Sequence, residues 1–136
     1  MKSIIDLVGR LFIALIFLAA AGNNIVNFRQ QVAGMQEWGW SFAPAFFLGV
    51  AIFLCIMGSA LVALGYRATL GALLLLLAIV PATFLIHDYW NYPGPDQAYH
   101  FTHLFKNLAI IGGLLMLMSH GTGKYSIRRV LASTRS

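Results

Sequence analysis

"ATLGALLLLLAIVPATFLI", residues 68–86, decides how this chain folds. It carries no charged residue, and Thr69 and Thr83 are its only polar side chains. A helix rises about 1.5 Å per residue, so a stretch of this length nearly crosses a hydrocarbon core of roughly 30 Å. Lipid offers no partner to an exposed N–H or C=O, so a segment placed there has to be helical.

Working outward, three more apolar segments follow the same rule: about Ile4 to Val26, Pro44 to Leu64 and Phe101 to Ser119. The whole chain is 60% hydrophobic and 10% charged, against roughly 25% charged in a soluble domain. The sequence therefore predicts an all-α fold, an integral membrane four-helix bundle in a single domain over residues 1–136. Its helices are expected over about 4–27, 44–65, 68–87 and 100–119, followed by a cytoplasmic tail over 120–136. The first segment begins like a leader, with Lys2 before an apolar run. That run continues past Gly22 through Ile25 and Val26, so it is read as a retained first helix.

Charge sets the expected orientation. With four spans, the N-terminus, the second loop and the C-terminus share a side. Lys2, Arg10, Arg67, Lys124, Arg128, Arg129 and Arg135 fall on it, against Arg29 and Lys106 on the other. Both termini are thus expected in the cytoplasm, in a multi-pass protein of the bacterial inner membrane. The net charge of +5 reads as topology and not as nucleic-acid binding, because no separate basic domain exists. The bilayer is the first expected partner, and the basic tail is placed to meet anionic headgroups.

The connections carry more information than plain turns. Phe28, Val32 and Met35 recur at helical spacing before Trp38 and Trp40, which predicts a short amphipathic segment at the membrane interface. Pro44 suits the first turn of the second span. Ala45 with Gly49, Ala68 with Ala72, and Ala109 with Gly113 are small pairs at four-residue spacing, expected to let helices approach closely. Pro81 should bend the third span by removing a backbone donor. Cys55 is the only cysteine, which excludes an internal disulfide and a dithiol mechanism within the chain.

The chemistry-bearing residues gather in "HDYWNYPGPDQAYHFTHLFKN", 87–107. His100, His103 and Asn107 fall on one helical face, with Lys106 beside it. An ionisable group at that depth usually faces a cavity or a partner, unless it snorkels to the surface. Asn23, four residues before Asn27, adds a polar end to the first helix. Four readings are open for this stretch: solvated or capping side chains around a turn at Asp88 and Asp96, a pocket for an amphipathic ligand such as a quinone headgroup, a metal site, or a protein-partner surface. The candidate ligand-binding residues are Asn23, His87, Trp90, His103, Lys106 and Asn107. No metal ligand set and no catalytic residue is assigned.

Taken together, "GRLFIALIFLAAAGNNIVNF" at 9–28, "HDYW" at 87–90, "HLFKNLAIIGGLLML" at 103–117 and "GTGKYSIRR" at 121–129 resemble the DoxX family of small four-helix bacterial membrane proteins. The resemblance runs over nearly the whole chain. It implies an accessory or quinone-linked subunit of a membrane oxidoreductase system, with quinone as the candidate cofactor and a membrane or periplasmic redox protein as partner. It implies site positions at Asn23, His87, Trp90, Lys106 and Asn107. Asn24 stands where that family often has a lysine, and Arg128 where it often has an acidic residue. The rival expectations are a non-catalytic membrane assembly or stabilising subunit of a larger complex, and a small-molecule transport or channel component. A homo-oligomer is compatible with either.

Overall fold

A computed structural model describes residues 2–87, 89–121 and 123–133, the side chains of Arg128 and Arg129 excepted. Asp88 and Arg135, used above as a turn residue and a flanking charge, lie outside the described residues. Every regular element is helical: α1 (Lys2–Val26), α2 (Phe28–Glu37), α3 (Pro44–Leu64), α4 (Ala68–Ile86), a 3₁₀ turn at Tyr89–Asn91, α5 (Pro95–His120) and α6 (Ile127–Ser133). Helices α1, α3, α4 and α5 are long and apolar enough to cross a membrane. The protein is a multi-pass membrane protein. Its outward side chains match that setting: Phe12, Phe46 and Met116 stay 64–69% exposed, an apolar exterior that lipid covers.

Helix α3 packs against α1 on one side and α4 on the other, α5 packs on α4, and the contact between α1 and α5 is slight. The tightest crossing is between α3 and α4. A Cβ added to Gly58 would lie 2.9 Å from the Gly71 carbonyl oxygen, and one added to Gly71 would lie 2.8 Å from the Gly58 carbonyl oxygen. No side chain fits at that crossing, so the two backbones can touch. Of the small pairs expected to do this, Ala68 and Ala72 are buried. Ala45, Gly49 and Ala109 are exposed, and Gly113 faces Ile13. Spacing alone marks small residues without saying which face they occupy.

Local chemistry explains the element ends. Pro44 opens α3, where a missing N–H costs nothing. Gly65, with φ of 67°, closes α3 in the left-handed conformation. Arg67 takes the same conformation with φ of 49°, which costs a non-glycine residue about 1–2 kcal/mol. Helix α5 begins at Pro95, not at His100, because Gly94 turns the chain with φ of 74° and Pro95 then starts the first turn. The tail folds into the short helix α6. Pro81 sits within α4 without ending it, and Thr83 Oγ1 donates to the Ile79 carbonyl at 2.7 Å within that turn. Helix α2 is the amphipathic segment the spacing predicts: Phe28, Val32 and Met35 pack against the core.

Candidate functional site

The connection between α4 and α5 folds three histidines onto one another. Rings from the end of α4 and the first turns of α5 meet because the 3₁₀ turn at 89–91 reverses the chain. His87 Nδ1 lies 3.3 Å from His100 Nδ1, so one nitrogen donates and the other accepts. The His87 ring also stacks on His103 at 4.9 Å between centroids. Tyr92 covers His100 at 3.8 Å, and Tyr99 leans on His103 at 4.3 Å. Lys106 Nζ lies 3.0 Å from His103 Nδ1. An ammonium can only donate, so His103 accepts there and keeps its proton on Nε2.

This arrangement spends the Nδ1 atoms on each other and on Lys106. Among the described residues no group of three or more His, Cys, Asp or Glu is placed to hold a metal ion. The other expected residues lie around the cluster in different ways. Asn107 and His100 are buried, each 8% exposed. Trp90 stands 57% exposed, and Lys106 is exposed. Asn23 is exposed too, and its Oδ1 accepts a hydrogen bond from Asn27 Nδ2 at 2.9 Å. The structure therefore joins His87, His103 and Lys106, whereas Asn23 pairs with Asn27 on its own helix.

A separate hollow lies away from the cluster. A cavity of about 210 Å³ opens between α2, α3 and α4, with Trp38, Trp40, Phe47, Pro81 and Ile86 in its wall. Asn24 is the one polar non-aromatic side chain in its lining, and none of Asn23, His87, Trp90, His103, Lys106 or Asn107 contributes. The cavity is hydrocarbon-like, whereas the histidine cluster is filled by its own rings. Cys55, the single cysteine of the sequence, is buried at 7% exposure on α3.

The opposite end, where α1 begins and α3 and α5 end, contains a polar residue that the sequence marks only as a flanking charge. Arg10 is 2% exposed. Its guanidinium donates to the Val62 carbonyl at 3.3 Å and to the Tyr125 carbonyl. It thus pins α1 to the last turn of α3 and to the segment after α5. The signal was present: an arginine within an apolar run, one helical turn after Asp6, is costly in lipid unless bonded. Tyr92 and Tyr99 were missed for a different reason, since their contacts depend on the path of the reversing turn.

A family model described as the SURF4 family matches residues 1–130. The chain belongs to the SURF4 family. A Surfeit locus protein 4 homolog of Schizosaccharomyces pombe is 34% identical over 76 residues, which cover 54% of this chain and 25% of that protein. The ER-derived vesicles protein ERV29 of Saccharomyces cerevisiae is 27% identical over 88 residues, 65% of this chain and 27% of that protein. The inner membrane protein YqjF of Escherichia coli is 30% identical over 125 residues, 92% of this chain and 90% of that protein. The match spans about a quarter of each yeast relative and nearly all of the bacterial one. No solved structure matches the chain significantly.

Membership in the SURF4 family corrects the resemblance to the DoxX family. The segments that suggested DoxX are apolar spans with polar ends and small residues, a pattern that helix packing in lipid favours in four-span proteins generally. The quinone-linked oxidoreductase reading falls with it, because it rested on that resemblance.

Proposed function

We propose that this SURF4-family chain is a non-catalytic membrane subunit of the bacterial cytoplasmic membrane, with both termini in the cytoplasm, that holds a partner protein at its opposite end. The excess of basic residues at the terminal end supports the orientation. The long match to a bacterial inner membrane protein supports the location. The observation that carries the role is the histidine cluster: ring nitrogens and Lys106 engage one another, which supports a packed surface as the contact. The sole thiol is buried, which fits a binding role better than thiol chemistry.

On this reading Trp90, Lys106 and Asn23 make the contact with the partner, since they are exposed. His87, His103 and Asn107 hold the shape beneath them. An exposed tryptophan is the kind of anchor that dominates protein interfaces. The test is purification in native nanodiscs with a photo-crosslinking residue at position 90 and, as a lipid-facing control, at position 53. A single protein at fixed stoichiometry, crosslinked from position 90 and lost in Lys106→Gln with the bundle still folded, is the expected result. A chain that purifies alone, or crosslinks equally from both positions, overturns the assembly role.

A further inference from the structure

We propose that the terminal end of the α4–α5 seam binds the headgroup of an anionic phospholipid. A broad hollow of about 730 Å³ lies there, lined by Tyr66, Arg67, Thr69, Leu70, Leu73 and Met118. Its chemistry is sorted along the helix axis. Arg67 and Thr69 sit at the start of α4, with the Tyr66 ring 5.9 Å from the Arg67 guanidinium carbon. Leu70, Leu73 and Met118 form the part that continues into the hydrocarbon region. Leu73 is six residues beyond Arg67, so the two are separated by roughly 9 Å along a helix. That is the order of a phosphate followed by the first methylenes of an acyl chain.

The charge balance selects the headgroup. Among the described residues no carboxylate pairs with Arg67: Asp6 packs at Gly123, while Glu37 and Asp96 belong to α2 and the first turn of α5, at the other end of the bundle. A guanidinium matches phosphate oxygens in a bidentate fork. The hollow holds no acidic side chain to meet the ammonium of a zwitterionic lipid. A free phosphate would satisfy Arg67 and leave the three apolar side chains without a partner, so the lipid is the occupant that uses the whole surface. Arg67 also holds a left-handed backbone with φ of 49° and ψ of 49°, a conformation glycine would adopt without strain.

The experiment counts lipids retained on the full chain by native mass spectrometry, after release from nanodiscs of phosphatidylcholine with increasing phosphatidylglycerol. Wild type should retain phosphatidylglycerol about tenfold over phosphatidylcholine of the same chain length, the factor expected of one charge-assisted bond. Arg67→Gln should lose that preference, and Arg29→Gln, at the other end, should keep it. Arg67→Gly separates binding from folding: it relieves the strained backbone, so a raised melting temperature with the preference lost supports the site. Equal retention of phosphatidylglycerol by Arg67→Gly and wild type overturns it. So does stabilisation by inorganic phosphate alone that matches the lipid and vanishes in Arg67→Gln, since the site would then read a free anion.

Discussion

Arg10 in the first helix and Tyr125 beyond the last span are 115 residues apart and joined by a hydrogen bond from the guanidinium to the backbone carbonyl. The same side chain reaches the Val62 carbonyl. One cation therefore ties three separate segments at the terminal end. Arg10→Gln removes the fork that serves both carbonyls. Charge-assisted hydrogen bonds contribute about 1.5–3 kcal/mol each, so losing both should cost the variant roughly 3–6 kcal/mol. Thermal unfolding in detergent measures that loss, and trypsin cleavage after Lys124 reports the tail separately. Cleavage no faster than in wild type would mean that Arg10 does not hold the tail.

Gly65 leaves room for that guanidinium. Its φ is 67°, and an added Cβ would lie 2.1 Å from Arg10 Nη1 and 2.7 Å from the Ser126 Cβ. Gly65→Ala should therefore cost more than the ~1–2 kcal/mol of left-handed strain alone. Its effect should shrink when Arg10 is already Gln, because the closer of the two clashes is relieved while the one with Ser126 stays. Additive losses in the double variant would place the penalty in the backbone and not in the contact.

The α3–α4 crossing predicts opposite outcomes for two glycines. Gly71→Ala must push apart the backbones of Gly58 and Gly71, an overpacking change of about 1–3 kcal/mol. Gly22→Ala meets nothing within 4 Å and gains helix propensity, up to ~1 kcal/mol. Melting temperatures of the two variants should move in opposite directions. A Gly71→Ala protein as stable as wild type would show that the helices do not cross there.

A double-mutant cycle tests the histidine contact. His87→Phe and His100→Phe each keep a ring but lose the Nδ1–Nδ1 bond, and the coupling between them should be about 0.5–1.5 kcal/mol. Zero coupling, with both single variants destabilised, would reduce the cluster to ring packing.

Cys55 should be inert in the folded protein, being buried at 7% exposure. A maleimide reagent should label it on denaturation and not before. Rapid labelling in intact membranes would show that α3 opens toward solvent near its middle.

The spans were legible because lipid leaves so few solutions: "ATLGALLLLLAIVPATFLI" can be little else than a membrane helix. Helix α2 was legible from the spacing of Phe28, Val32 and Met35, and the start of α3 from Pro44. The crossing at Gly58 and Gly71 was not, because no four-residue small pair marks it; the contact joins two helices at one position each. The extra turn of α5 was hidden by "NYPGP", whose glycine and prolines read as a turn while Pro95 actually opens a helix. Within the candidate site, residue types were visible, and so was the shared face of His100 and His103. That His87 swings onto both depends on the 3₁₀ turn, which composition does not reveal. Arg10 was visible as a charge, but its two acceptors are backbone carbonyls, and no side-chain pattern advertises those.

The Arg10 fork also sets an order of events. A ribosome delivers α1 to the bilayer long before residue 125 exists, so the guanidinium has to wait in the membrane boundary for its second acceptor. A chain cut between α5 and Tyr125 would keep all four spans and leave its innermost cation short of one bond. The contact with Tyr125 can thus form only after the α5 span has been made, and until then Arg10 keeps its bond to Val62 alone.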